Sequence, residues 1–217
     1  MRVLFILLIF VFLVCEKPEG QLLYEEDFES YNEGRFSPQT EGWKIGWKGT
    51  YPEADSFDFI KKEQTKVLEI VPPGLSENFW PALLYLDKEF KDFSLQMRAR
   101  LEYSTQGSIE IGVRCDENQG YLVILSSELK AYIKRIDSYR EPVEALLKET
   151  EIPFDIADKK WHDIRITIIG DSLSLLVDGS EIVSLSRLLY INREGKIGFV
   201  SGPEDYYEID DLRAYSE

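Results

Sequence analysis

Arginine and glutamate side chains recur on one side of two consecutive stretches of the sequence. Arg98 and Arg100 alternate in the first stretch, and Glu110 and Arg114 share one side of the second. If the two stretches pair as a simple hairpin, these side chains lie on one face of a sheet. A guanidinium binds carboxylates and hydroxyls through paired hydrogen bonds, so this face could hold a ligand; the alternative is a solvated charge ladder across two strands. The ligand-binding candidates here are Arg98, Glu110, Arg114, Tyr121, Tyr132 and Arg135.

Aromatic side chains near predicted loops form a second group of candidates. A sugar ring stacks its C–H face on tryptophan or tyrosine, so a sugar site needs an exposed aromatic ring beside polar groups. Trp47 and Trp80, together with Tyr51, are the candidates for this role. Trp43 and Trp161 each open a predicted strand, and we interpret both as core residues.

The chain offers few residues for nucleophilic or metal catalysis. His162 is the only histidine, and in a strand it shares its side with Ile164 and Ile166, which indicates a packed residue rather than a general base. One histidine and two cysteines are too few for an ordinary zinc site. We therefore assign no catalytic residue, and whether the protein is an enzyme stays open at this point.

A predicted hairpin is the clearest element that could position these residues. Trp161 to Ile169 is rich in residues that favour strands, and Gly170-Asp171 separates it from a second apolar run, Leu173 to Val177. Asp178-Gly179 then predicts a type I′ turn, because both central residues of that turn need positive φ. A two-residue loop at this position predicts that Leu175 pairs with Ile182.

Apolar and polar residues alternate through most of the remaining chain, which predicts an all-β domain. The clearest alternation runs from Phe93 to Tyr103 and from Ser108 to Cys115. Cys115 continues the apolar register, which indicates a buried, unreactive thiol. Val143 to Glu151 is compatible with a strand or a short helix, and Arg187 to Asn192 with a helical turn. The residues expected to be largely buried are Phe93, Leu95, Met97, Ile109, Ile111, Ile164, Ile166, Leu173 and Leu175.

The order of these motifs resembles known jelly-roll proteins. The hairpin W-H-x-I-R-I-x-I-x-G-x-x-L-x-L-x-V-D-G and the closing strands around Gly195 to Phe199 and Ile209 to Tyr215 are similar to those of laminin-G-like and concanavalin A-like domains. Gly42-Trp43 and Gly120-Tyr121 bring the chain nearest to the bacterial 3-keto-disaccharide hydrolase family. The resemblance implies a two-sheet antiparallel jelly-roll sandwich of the concanavalin A-like lectin and glucanase type. It says less about chemistry, because that superfamily includes enzymes, lectins and adhesion modules.

The same resemblance suggests two acidic sites. The sequence Glu25-x-Asp27-x-Glu29 mimics the catalytic motif of laminarinase-like glycosidases, but it lies on the first strand instead of a central one, and we interpret it as coincidence. Related jelly rolls hold structural calcium between loop carboxylates, and calcium takes roughly six to eight oxygen ligands. If the termini are neighbours, the metal-binding candidates are Asp27, Glu29, Asp210 and Asp211.

The N-terminus has the features of an export signal. Arg2 precedes an apolar run, Val3 to Val14, which is too short for a comfortable membrane span. Cys15 follows, so residues 1–15 resemble a bacterial lipoprotein signal ending in the lipidated cysteine, although Val14 departs from the usual small residue. A cleaved secretion signal and an uncleaved anchor are the alternatives, and all three predict an exported protein. Residues 16–21 form a polar linker, and residues 22–217 form a single jelly-roll domain.

Composition limits the partners. The 217 residues carry a formal net charge of −15, and a chain this acidic, without a basic stripe, does not bind nucleic acid. Contact with a membrane is expected only through the N-terminal anchor, and the sequence does not define an oligomeric state.

Three functions are compatible with the sequence. The first is an exported carbohydrate-binding or surface-recognition module with a glycan ligand. The second is a glycoside-acting hydrolase of the 3-keto-disaccharide hydrolase type, and the third is a structural envelope lipoprotein that binds a protein partner. No cofactor is certain, and structural calcium is the one metal suggested.

The export signal can be tested by replacing its cysteine. We expect Cys15→Ser to block lipidation, because the lipid is attached through the cysteine sulfur, and to leave a precursor or a freely soluble form. Cell fractionation with mass spectrometry of the N-terminus measures this. Unchanged membrane association with an intact N-terminus would instead identify Val3 to Val14 as an uncleaved anchor.

Overall fold

The computed structural model describes residues 20–35, 42–46, 57–62, 64–71, 82–102, 107–116, 119–136, 144–188, 193–202 and 204–217. Strands, turns and bends account for this part of the chain, and no helix occurs in it. None of the described residues forms a helix long and apolar enough to span a membrane. Cys15, Trp47, Tyr51, Trp80 and most of Arg187 to Asn192 lie outside the described residues, so the predictions made for them are untested.

The described strands form two antiparallel sheets. The nine-stranded sheet has the order β14-β13-β12-β7-β16-β5-β4-β2, and β1 also pairs with β16. Its strands are β1 (Leu22–Glu26), β2 (Gly34–Arg35), β4 (Phe57–Lys62), β5 (Thr65–Ile70), β7 (Phe93–Leu101), β12 (His162–Ile169), β13 (Ser172–Val177), β14 (Ser180–Ser186) and β16 (Tyr207–Ser216).

The seven-stranded sheet has the order β11-β10-β9-β8-β15-β6-β3. Its strands are β3 (Trp43–Gly46), β6 (Ala82–Leu86), β8 (Ser108–Cys115), β9 (Gly120–Ser126), β10 (Lys130–Ile136), β11 (Glu144–Glu151) and β15 (Lys196–Ser201). The segment left open between strand and helix is therefore strand β11.

One hydrophobic core lies between the sheets, and it contains all nine residues that the alternation predicts to be buried. Strands β7 and β8, however, belong to different sheets: β7 pairs with β12 and β16, and β8 with β9 and β15. The prediction that they form a hairpin is wrong. Their apolar side chains pack face to face across the core, as in a sandwich, because both strands have a strongly apolar inner face to cover.

The seven-stranded sheet is apolar on its second face as well. Along β9 the inward side chains belong to the main core, while Leu122 and Ile124 belong to a separate buried cluster on the other side. Cys115 lies in this second cluster with 1% exposure, and burial raises the pKa of its thiol to about 12. The prediction of a buried thiol is confirmed.

The Asp178-Gly179 hairpin forms as predicted and explains the Trp-His motif. Asp178 and Gly179 have φ of 50° and 76°, as a type I′ turn requires. The His162 ring is buried and lies 2.8 Å (Nδ1) from Asp178 Oδ2 and 3.2 Å (Nε2) from Asp158 Oδ1. A bulge after Leu175 shifts the register so that Leu175 pairs with Val183, and the predicted Leu175–Ile182 pair is wrong.

A buried guanidinium joins the two sheets. Arg114, at the end of β8, is 2% exposed and adopts a φ of 49°. It donates hydrogen bonds to the Lys91 carbonyl (3.0 and 2.9 Å), to Asp92 Oδ1 (3.0 Å) and to the Gly170 carbonyl (2.6 Å). Asp92 also accepts a hydrogen bond from the Gly170 amide at 2.8 Å. Arg114 thus holds the start of β7 and the β12–β13 turn against the seven-stranded sheet.

We expect Arg114→Ala to lower the free energy of unfolding by roughly 2–4 kcal/mol, since it strands buried carbonyls and the Asp92 carboxylate. Chemical denaturation measures the change. The matched control is Arg213→Ala, because the half-exposed guanidinium of Arg213 pairs with Glu25. This variant should lower the free energy of unfolding by no more than about 1 kcal/mol. Equal losses in both variants would contradict the structural role of Arg114.

Candidate functional site

The arginine and glutamate candidates do not share a face. Arg98 lies on the outer face of the nine-stranded sheet, where it bonds Asp210 at 2.6 Å and Asp211 at 2.8 Å. Glu110 lies on the second face of the seven-stranded sheet, opposite Ile124, and Arg114 is buried between the sheets. The prediction of one Arg98–Glu110–Arg114 face is therefore wrong, because β7 and β8 do not pair.

The three remaining candidates of that group lie on two different sides of the seven-stranded sheet. Tyr121 is a core residue with 1% exposure, and Arg135 lies opposite it in the β9–β10 register. Tyr132 lies opposite Ile124 and is partly buried against the second apolar cluster. Of the predicted face, Glu110 and Tyr132 share the second side of the seven-stranded sheet, with Ile124 between them. Tyr121 and Arg135 lie opposite each other on the other side of that sheet.

The four calcium candidates each contact other groups of the protein. The described residues contain no group of three or more side chains that could hold a metal ion. Arg98 binds Asp210 and Asp211, while Glu29 accepts a hydrogen bond from the Lys66 amide at 2.7 Å and Asp27 accepts one from the Glu29 amide at 3.1 Å. Each of the four carboxylates therefore has a partner within the protein, and calcium binding stays a prediction.

A network of paired charges covers part of the outer face of the nine-stranded sheet. The guanidinium carbons of Arg98 and Arg100 lie 5.3 and 4.8 Å from the centre of the Trp161 ring. Arg100 Nε bonds the buried Glu208 carboxylate at 3.1 Å. Trp43 is core as predicted, whereas Trp161 is only half-buried and is covered by arginine. These contacts make the patch a network of paired charges rather than an open anion site.

Two carboxylates meet at one serine on the second face of the seven-stranded sheet. The Ser108 hydroxyl lies 2.9 Å from Asp205 Oδ1 and 3.1 Å from Glu110 Oε1. Its single proton can serve only one of them at a time. Asp205 is buried and also accepts hydrogen bonds from the amides of Ser108 (2.9 Å) and Gly202 (2.7 Å). These bonds hold Asp205 and Gly202 next to the start of β8. Sequence analysis did not predict this pair of carboxylates, because Asp205 lies far along the chain from Ser108 and Glu110.

A groove lined by hydroxyl groups opens on the outer face of the nine-stranded sheet, near its β14 edge. Its volume is about 270 Å³. Five of its lining residues carry hydroxyls and three are aliphatic, and none of the described lining residues is charged. The lining residues are Thr167, Ile169, Ser172, Leu173, Ser174, Ser184, Leu185 and Ser186.

The hydroxyls form two rows that run across the strands. In the first row Thr167 lies opposite Ser174, and Ser174 lies opposite Ser184. In the second row Ile169 lies opposite Ser172, and Ser172 lies opposite Ser186. Directly opposite residues share a face, so both rows point outward, and Ser172, Ser184 and Ser186 are exposed. The groove therefore offers an ordered array of neutral donors and acceptors beside the exposed aliphatic side chain of Ile169, which is 50% exposed.

The fold is that of jelly-roll β-sandwich proteins. The carbohydrate-binding module CBM66 from Bacillus subtilis matches with a TM-score of 0.60 and 14% identity, over 81% of this chain and 96% of that chain. β-Agarase A from Zobellia galactanivorans matches with a TM-score of 0.66 and 11% identity, over 90% and 92%. A Bacillus subtilis protein of unknown function with a galectin-like fold matches with a TM-score of 0.62 and 11% identity, over 92% and 97%.

These similarities confirm the predicted two-sheet antiparallel jelly-roll sandwich, and at such low identity they show the fold alone. No protein-family model and no curated protein matches the sequence. The specific resemblance to the 3-keto-disaccharide hydrolase family therefore stays a prediction.

The buried Asp205 carboxylate should make the stability of the protein depend on pH. Burial raises the pKa of Asp205 above its ordinary value of 3.8, so between 3.8 and the raised value the native state holds more protons than the unfolded state. The contribution of Asp205 to the free energy of unfolding therefore increases as pH falls and decreases as pH rises. We expect wild type to gain stability relative to Asp205→Asn as pH falls from neutral towards about 4.5. Urea unfolding at several pH values measures this, and a constant or opposite difference would exclude the effect.

Proposed function

We propose that this protein is a carbohydrate-binding module that holds a neutral glycan in the hydroxyl-lined groove. The observation that supports this most directly is the absence of charge among the described lining residues of the groove, in a chain with 65 charged side chains, 25 basic and 40 acidic. A charged ligand would find no counter-charge there, whereas a sugar would find matching hydroxyls.

The chemistry of the groove suits a saccharide. Each serine or threonine hydroxyl can donate one hydrogen bond and accept two, as each sugar hydroxyl can. Ile169 supplies apolar surface for the C–H groups of a sugar ring. Binding sites commonly combine apolar walls with a few placed polar groups, and here the polar groups stand on β-strands.

A glycoside hydrolase is the second candidate, and the Glu110–Ser108–Asp205 cluster is the observation that favours it. Retaining glycosidases use two carboxyl groups about 5–5.5 Å apart, and two carboxylates that share one hydroxyl partner are close neighbours. The burial of Asp205 and its bonds to two backbone amides favour a structural role. A reducing-sugar release assay on ordinary and 3-keto disaccharides, with Glu110→Gln as the comparison, distinguishes hydrolysis from binding.

The proposal includes export. The apolar run Val3 to Val14 followed by Cys15 supports a cell-envelope lipoprotein or a secreted protein, and extracellular glycans would be available to either. An envelope lipoprotein that recognises a protein partner is the remaining alternative, and a glycan array separates it from a glycan-binding module.

We expect Ser174→Val with Ser184→Val to weaken glycan binding by roughly 5- to 100-fold, because each lost hydrogen bond contributes about 0.5–1.5 kcal/mol. Valine suits a strand, so the melting temperature should hardly change. Isothermal titration with a neutral oligosaccharide identified on a glycan array measures the affinity. Ser180→Val, on the same strand but outside the groove, is the matched control. An array without hits, or equal affinities in all three proteins, would reject the groove as a glycan site.

A further inference from the structure

The first hydroxyl row continues beyond the groove. On β7, Ser94 lies opposite Thr167, and on β16, Tyr215 lies opposite Ser94. Because opposite residues share a face, Tyr215 stands on the same outer surface as the groove. Ser94 is 1% exposed, and its hydroxyl lies 3.1 Å from the Thr167 hydroxyl. A small buried residue thus lies between the tyrosine and the groove.

We propose that Tyr215 is an aromatic subsite that extends the groove, so that the ligand is a linear neutral oligosaccharide lying across the strands. This inference rests on the proposed function and specifies its ligand. The ring of Tyr215 is half-buried, which fixes its position and leaves surface for a sugar ring to stack on.

The geometry sets the length of the ligand. Neighbouring strands lie about 4.7–4.9 Å apart, so the four steps from Ser184 on β14 to Tyr215 on β16 span roughly 19 Å. One sugar ring cannot bridge that distance, and a chain of several units can. No large side chain lies in this row between Thr167 and Tyr215.

The residues in and around the first hydroxyl row favour an uncharged oligosaccharide. The row itself, from Tyr215 through Ser94, Thr167 and Ser174 to Ser184, contains no charged residue. The next row towards the opposite end of the strands contains Arg213, Gln96 and Arg165. Arg213 is bound to Glu25 at 2.7 Å. These charges therefore lie beside the path and not on it.

The test is the dependence of affinity on ligand length. Wild-type protein is titrated with neutral laminari-, cello- and agaro-oligosaccharides of two to eight units. In the series that binds, we expect affinity to rise with length and to level off once the chain reaches Tyr215. Tyr215→Ala should weaken the longest ligand by about 3- to 10-fold and abolish the dependence on length, while Tyr215→Phe, which keeps the ring, should retain both.

Each outcome decides one of the two proposals. If Tyr215→Ala does not fold, Tyr215→Leu, which keeps apolar bulk without an aromatic face, replaces it. Length dependence that persists without the ring overturns the subsite, and so does affinity that is independent of length in wild type. In either case the proposal that the groove binds a glycan is kept if Ser174→Val with Ser184→Val still weakens binding. If no neutral oligosaccharide binds wild type at all, the proposed function itself fails.

Discussion

The buried Arg114 guanidinium is the interaction on which the arrangement of the two sheets depends. A guanidinium taken out of water must have its donors satisfied, and here the acceptors come from the start of β7 and from the β12–β13 turn. Gly170, one of those acceptors, stands between Ile169 and Ser172, which line the groove. The residue expected to bind a ligand therefore acts from inside the protein, by fixing the turn that carries one end of the groove.

The outer face of the nine-stranded sheet is divided between charge and neutral polarity. Around Trp161, arginines pair with carboxylates, and such pairing leaves little free charge for a partner. Towards β14 the same face carries serines and a threonine. A surface of this kind binds through many small contacts, so its affinity depends on the order of the array more than on any one residue.

Much of the fold follows from the sequence, because alternation fixes which side chains face the core. It explains the burial of Phe93, Leu95 and Ile166, and the positive φ that Asp-Gly allows explains the position of the turn at Asp178 and Gly179. Alternation does not say which strands pair, and for that reason Arg98 and Glu110 were expected together. The groove was missed for a related cause: Ser172 and Ser174 face Ser186 and Ser184 only because of the bulge after Leu175. The simple two-residue hairpin register would place Ser174 opposite Val183.

That bulge also explains why the groove suits an extended ligand. It lets both Ile182 and Val183 lie buried while it brings the serines into register on the outer face. Serine side chains are short and stand on paired strands, so binding costs little conformational entropy at each contact, and preorganised groups lose less on association. Each hydroxyl nevertheless contributes only a modest hydrogen bond. A rigid row of weak contacts discriminates best when one ligand spans many of them, which is why a chain of sugars matches this surface better than a single ring.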